Sequence, residues 1–359
     1  MTALVSSTSA ATTPTVSVII ATYTRAALLD ECLQYLGAQR FGEGDEVVVV
    51  DNGSIDDTVA VVKRHQAAFA VPLHLLYETQ PGKSHALARA LAVATGGVFA
   101  FLDDDINVAS GWLDAVRTTM SDRSIALMGG RVAPRWEATV ADWMRTAPAA
   151  HPRLGAPLGL LEYSDDVVEL GPRTVLGANM AVRREVFDVV GGFATHLGKL
   201  RGTLLSGEDH EMCLRVQAAG FRAIYVPDAV VHHWVPADRA CVGYFLHWFY
   251  WSGITNAIVD AGTIAPGTPH SIGQSTNHDG RPDDRSPWTT DRPRQMPWYL
   301  LKRAVGATLG MLKALVDGRR TDALNHAIDV AFAAGYVAQR WGMSSRQPAA
   351  AKHASPEAA

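Results

Sequence analysis

The chain has 359 residues, 48% hydrophobic and only 19% charged. This excludes a disordered or fibrous polypeptide and leaves ample material for one large core or two smaller ones. Lys+Arg at 32 against Asp+Glu at 36 give a net charge of −4, so a broad basic surface and a nucleic-acid partner are not expected. The three cysteines, Cys32, Cys213 and Cys241, form no CxxC pair, which argues against a zinc ribbon or a disulfide scaffold and for reduced thiols in a cytoplasmic protein.

Residues 1–13 carry no Lys or Arg and no long apolar run; they read as a disordered tail rather than a signal peptide. The apolar run Val16–Ala21, rich in β-branched residues, predicts a strand. Leu28, Leu29, Cys32, Leu33 and Leu36 then follow helical spacing. Glu46–Asp51 predicts a second strand ending at the turn Asn52-Gly53, Ile55–Phe69 a helix, Leu73–Tyr77 a third strand and Gly82–Thr95 a helix. Val98–Leu102 predicts a fourth strand, which runs straight into Asp103-Asp104-Asp105. Continuous apolar strands alternating with helices predict a mostly parallel sheet covered on both faces.

The middle of the chain is less regular. Ile125–Val132 and Thr174–Arg183 read as strands, separated by a stretch with few periodic cues, Pro134–Pro172. A helix over Glu208–Ala219 follows, then short strands Ala223–Val226 and Val230–Trp234, then an aromatic helix Gly243–Val259. Residues 261–297 are rich in Gly, Pro, Ser and Asp and read as a loop or linker. Two helices over about 298–342 and an Ala/Ser/Pro tail, 343–359, complete the chain. No run of 18 apolar residues is free of charge; the nearest, Trp298–Val316, contains Lys302, Arg303 and Lys313, so no spanning helix is expected.

Four signals carry chemistry. Three adjacent carboxylates at the end of a buried strand repel one another, and the open end of a parallel sheet is where ligands bind; such a cluster calls for a cation, and oxygen ligands suit Mg2+ or Mn2+. The plainer alternative is a solvated acidic turn. Asp51, also at a strand end, suits a nucleobase N–H or a ribose hydroxyl, against an ordinary Asn-Gly turn. Gly207-Glu208-Asp209 opens a helix, where a carboxylate is either a cap or a general base. His232-His233 follows Val230-Val231 at a strand end. Gly82-Lys83-Ser84 imitates the end of a phosphate-binding loop, but the glycine such a loop needs at position 77 is Tyr77. No GxGxxG follows the first strand, and no GxSxG elbow occurs.

In this order the signals resemble family 2 of the inverting, nucleotide-sugar-dependent glycosyltransferases of GT-A fold. The matching stretches are Val16–Arg25, Val48–Ser54, Phe101–Asp105, Gly177–Arg184 with Gly191–Phe193, Gly207–Asp209 and Val226–His233, within residues 14–260. The resemblance implies a mostly parallel central sheet flanked by helices, with a C-terminal helical extension. It implies Asp209 as catalytic base with Glu208 beside it, and Asp105 and His233 as ligands of a divalent cation. It places Thr22, Tyr23, Arg25, Asp51, Lys83, Asp103, Asp104 and Asn179 around the substrate: Tyr23 flanking the base, Asp51 contacting it, Asp103 near ribose or diphosphate. Two departures stand out, Thr24 and Ala88, where the family has Asn.

The implied donor is a UDP-, GDP- or dTDP-sugar, and the implied acceptor a glycan or lipid-linked hydroxyl. A nucleotidyltransferase on a related sheet, or a non-catalytic sugar-nucleotide or glycan-binding protein, are the competing readings. The basic and apolar residues of the C-terminal helices suit either packing on the catalytic domain or peripheral contact with an anionic membrane face.

Overall fold

The structure is a computed structural model that describes residues 13–137, 139–199, 203–262 and 298–342. Both expected tails, and the expected linker beyond Gly262, lie outside the described residues. The chain divides into two compact units, the first holding the described residues up to Phe245 and the second those from Leu246 onward.

The first unit is built on one sheet. Strands β1 (Val16–Thr22), β2 (Glu46–Asp51), β3 (Leu73–Tyr77) and β4 (Val98–Asp103) form where β-branched and aromatic residues run continuously. They pair in parallel in the order β3-β2-β1-β4. Their connections are α1 (Ala26–Gly37), α2 (Thr58–Gln66) and α3 (Lys83–Leu91). Alternate side chains feed two cores. Val18 and Ile20 point into one with Leu29, Leu33 and Val62; Ile19 and Phe101 point into the other with Ala86 and Leu87.

Beyond β4 come β5 (Ile106–Val108), α4 (Trp112–Ser121), β6 (Ile125–Trp136), α5 (Asp142–Ala150) and the two-residue β7 (Val168–Glu169). Then follow β8 (Asn179–Arg183), α6 (Arg184–Val190), α7 (Glu208–Ala218) and β9 (Arg222–Val235). The sheet order is β3-β2-β1-β4-β8-β6-β9-β5, with β7 on β9. As expected, most of the pairing is parallel, including that of β6 with β9; β8 enters antiparallel between β4 and β6, and β5 and β7 pair antiparallel with β9.

Local boundaries also moved. The helix expected from Ile55 starts at Thr58, because the Asp56 carboxylate accepts hydrogen bonds from the Thr58 N–H and hydroxyl, turning the chain first; Ile55 is left 88% exposed. The strand expected from Thr174 begins at Asn179, whose N–H turns back onto the Leu176 carbonyl. The two short strands expected over 223–234 are one, β9. Its pairing with β6 skips from Val226 to Val230, since Pro227 has no N–H to offer and the intervening residues bulge.

The second unit contains most of α8 (Val242–Gly262), with α9 (Trp298–Val316) and α10 (Arg320–Arg340). Helices α8 and α10 cross where neither can carry a side chain: a Cβ on Gly335 would stand 1.8 Å from the Tyr250 carbonyl oxygen. The Tyr336 hydroxyl donates to Asp260 at 2.9 Å. Among the described residues no helix is long and apolar enough to cross a membrane.

Candidate active site

The site forms at the C-terminal ends of β1, β2 and β4. Asp103 closes β4, and Asp104 and Asp105 make the turn into β5, whose Ile106 lies in register with His233 of β9. That register is what brings His233 to Asp105, with Nε2 3.5 Å from Oδ1. Both side chains are almost fully buried. Arg25, just ahead of α1, donates from one nitrogen to Asp105 Oδ2 at 2.7 Å and to Asp104 Oδ1 at 3.1 Å. The second Asp104 oxygen accepts from the Thr22 hydroxyl at 2.8 Å. Asp105 is therefore engaged through one oxygen; Oδ1 is buried without a hydrogen-bond partner, as is His233 Nδ1.

Burial and charge sort the three aspartates. Burial alone would raise the Asp103 carboxyl, but Lys83 and Lys199 outweigh it and hold the group well below the usual carboxylate range. At Asp105 burial is likewise outweighed, by His233, Lys199 and Arg25. At Asp104 burial prevails despite Arg25, and the carboxyl lies above its ordinary value. Burial lowers the His233 imidazole despite Asp105, so the ring is neutral at neutral pH and keeps a lone pair to donate.

Lys83, the first residue of α3, ties two halves of the site together. Its ammonium forms a hydrogen-bonded ion pair with Asp103 and lies 3.3 Å from Glu208 Oε1. Glu208 is buried at the start of α7, and burial raises its carboxyl against the pull of Lys83. Its neighbour Asp209 is half-buried and held from two sides. Oδ2 accepts the Gly177 N–H at 2.7 Å, and Oδ1 accepts the His210 N–H at 2.8 Å. A small cavity borders Lys83, Gly177, Glu208 and Asp209.

At the other side of the cleft, Asp51 lies in register with Thr22 on β1 and Tyr77 on β3. Its carboxylate accepts the Ser54 N–H at 2.8 Å. Tyr23, next along from Thr22, is exposed. Asn52 pins the following loop, accepting from the Gly82 N–H and donating to the Glu78 and Gln80 carbonyls.

Three expected substrate contacts are engaged inside the protein. Asn179 is buried with its amide spent on the protein. It donates to the Arg131 and Ala229 carbonyls at 3.0 and 2.7 Å and accepts the Trp112 indole N–H at 2.9 Å. Thr22 and Asp104 are also buried, and their polar atoms hold each other and Arg25. Each of the three side chains is thus held in place by the protein, as are those of Asp51, Asp103 and Asp209.

The sequence reading missed two glycines. Gly159, at φ +68°, lies flat against the His233 ring, where a Cβ would come within 2.7 Å of it. Gly130 leaves room for the Asn179 amide; its Cβ would stand 2.4 Å from Nδ2. The doublet Gly129-Gly130 inside an apolar strand was the available signal, since glycine there marks close approach of another group. A second depression, lined by Asp45, Glu46 and His74, lies at the opposite end of the strands. Its carboxylates already serve Val16, Ser17, Thr95 and Arg117, so it is not the reactive centre.

The donor set of Asp105 and His233 fits a divalent cation. Asp105 Oδ1, buried without a hydrogen-bond partner, lies 3.5 Å from the His233 Nε2, and a carboxylate oxygen beside an imidazole nitrogen is a pairing such an ion satisfies. Among the described residues no third His, Cys, Asp or Glu completes a cluster. That pattern suits an ion bound through one or two protein ligands plus substrate phosphates.

Residues 17–191 match the sequence profile of Glycosyl transferase family 2. Over 255 residues the chain is 26% identical to the glucosyl-dolichyl phosphate glucuronosyltransferase of Haloferax volcanii, covering 68% of this chain and 77% of that protein. Over 264 residues it is 28% identical to the succinoglycan biosynthesis protein ExoM of Rhizobium meliloti, covering 72% and 77%. Among solved structures, the mannosyltransferase PcManGT from Pyrobaculum calidifontis, in complex with GDP-Man and Mn2+, superposes with a TM-score of 0.57 at 26% identity, covering 90% of this chain and 87% of that one.

Proposed function

Starting from a chain that belongs to glycosyltransferase family 2 and has the GT-A fold, we propose that it moves a sugar from a nucleoside-diphosphate sugar to an acceptor hydroxyl with inversion at the anomeric carbon. The observation that carries this reading is Lys83. One ammonium pairs with Asp103 at the end of β4 and with Glu208 at the start of α7, so the aspartate turn and the residue beside Asp209 belong to one site.

Asp209 takes the proton of the acceptor hydroxyl as its oxygen attacks opposite the leaving diphosphate. The Gly177 N–H fixes the carboxylate that receives it. A single in-line displacement inverts the configuration. Asp51 accepts from the nucleobase, Tyr23 lies beside it, and Asp103 faces ribose or diphosphate. Arg25 and Lys83 hold the aspartates in place, so orientation is set before the donor arrives. Asp105 and His233 hold the Mg2+ or Mn2+ ion, which when bound stabilises negative charge on the diphosphate.

A GDP-sugar is supported by the complex of the similar mannosyltransferase; UDP- and dTDP-sugars are the other candidates. The names of the two similar proteins support a lipid-linked or polysaccharide acceptor, and the free cysteines support a cytoplasmic setting.

The test is a melting screen of GDP, UDP and dTDP with and without Mn2+, since a ligand that binds only the native state raises Tm. One nucleotide should raise Tm in the presence of metal, and the matching nucleotide sugar should be turned over. No response to any of the three, with or without metal, overturns the reading.

A further inference from the structure

Helix α9 packs on α10 with one side and leaves a second side bare. Leu300, Ala307 and Ala314 are buried, Leu300 together with Ala257 and Tyr336. Leu301, Val305, Leu309, Leu312, Leu315 and Val316 are between 37% and 88% exposed. At 3.6 residues per turn these six fall on one continuous face, about 120° wide. Lys302 and Lys313, both exposed, fall together along one edge of it. No Asp or Glu occurs anywhere in the 19 residues of α9, while Lys302, Arg303 and Lys313 do. A single surface leucine needs no explanation, but a contiguous apolar face edged by like charge does.

We propose that this face of α9 is a docking surface for an anionic lipid bilayer, lying in the plane of the headgroups with its leucines in the acyl boundary. Charge selects this occupant. A second copy of the helix would bring another wholly basic, acid-free surface against the first, whereas anionic headgroups complement the lysine edge. The chain's own remaining segments offer little to cover the face: residues 263–297 hold only Ile264, Ile272, Trp288 and Met296 as large apolar residues, and 343–359 only Met343. With Lys302, Arg303 and Lys313 among its 19 residues, the helix is not apolar enough to span. The proposal does not depend on the transferase reading.

The test uses the full-length protein with vesicles of phosphatidylcholine alone or mixed with phosphatidylglycerol. The protein should sediment with the anionic vesicles at low salt and at least about tenfold less with the neutral ones. Leu309→Asp with Leu312→Asp should abolish sedimentation, and Lys302→Glu with Lys313→Glu should weaken it about tenfold. All four positions are exposed, so Tm should not change. A Val305→Trp variant should show a blue shift in emission on the same vesicles. No sedimentation of the wild-type chain, or equal sedimentation of the leucine variant, overturns the proposal. So does a wild-type dimer in ultracentrifugation that the leucine variant dissolves, because a second copy then covers the face.

Discussion

Asp105 and His233, 128 positions apart in the sequence, meet with Oδ1 and Nε2 3.5 Å apart, and the carboxylate oxygen has no other partner in its buried setting. Removing the carboxylate should remove metal dependence. Asp105→Ala should lose the Mn2+-dependent part of the Tm rise with nucleoside diphosphate and abolish detectable transfer. Transfer at wild-type rate and low Mn2+ in that variant would end the assignment.

Asp209→Asn keeps the size of the side chain and its bond to the Gly177 N–H but cannot take a proton. Nucleotide binding should survive and turnover should fall by about 10² or more. If Glu208→Gln is the inactive variant and Asp209→Asn is not, the base is the buried neighbour instead.

Asn179→Leu should act on stability alone. It strands the Trp112 indole N–H and two carbonyls in the interior, and should lower unfolding free energy by about 3 kcal/mol in urea titrations. The folded fraction should bind nucleotide as the wild type does. A lost nucleotide response at unchanged stability would instead assign Asn179 a direct contact with substrate.

Thr24 sits at φ +51°, the only non-glycine residue at positive φ among the described residues, and its hydroxyl is buried without a partner. A β-branched side chain is strained there, whereas asparagine tolerates the conformation. Thr24→Asn, the residue the family carries, should raise stability by about 1 kcal/mol. A neutral or destabilising result in thermal melts would mean the loop relaxes the strain at no cost.

Glu46 links the starts of β1 and β2. Burial would raise its carboxyl, but hydrogen bonds from Ser17 and Thr95 outweigh burial and hold it below its ordinary value of 4.5. A depressed carboxylate stabilises the native state above that value, and the contribution is lost as pH falls through the folded pKa. At pH 7 Glu46→Gln should be less stable than wild type by about 1–2 kcal/mol. The gap should close as pH drops below 4.5 in urea titrations; a gap independent of pH would show that the charged form is not what the bonds stabilise.

The sequence alone determined the parallel half of the sheet, the aspartates at its end and the acidic start of α7. Each of these is local: β-branched runs set strands, and a strand's last residues necessarily lie at the sheet's edge. It also singled out Asp105, His233, Lys83 and Asp209 as candidates, through motif order, and the fold brings Asp105 to His233 and Lys83 to Asp103 and Glu208. Only the tertiary structure decided which polar groups are spent internally. Asn179, Thr22 and Asp104 take partners far along the chain, Trp112, Asp104 and Arg25 respectively, as Asp103 takes Lys83 and Asp209 the Gly177 N–H, whereas Asp105 Oδ1 is left without a hydrogen bond. The antiparallel insertion of β8 and the bare face of α9 are likewise nonlocal. Side-chain periodicity tells a strand which face it buries, but not which neighbour it will join, and tells a helix how many apolar faces it has, but not which one the fold will cover.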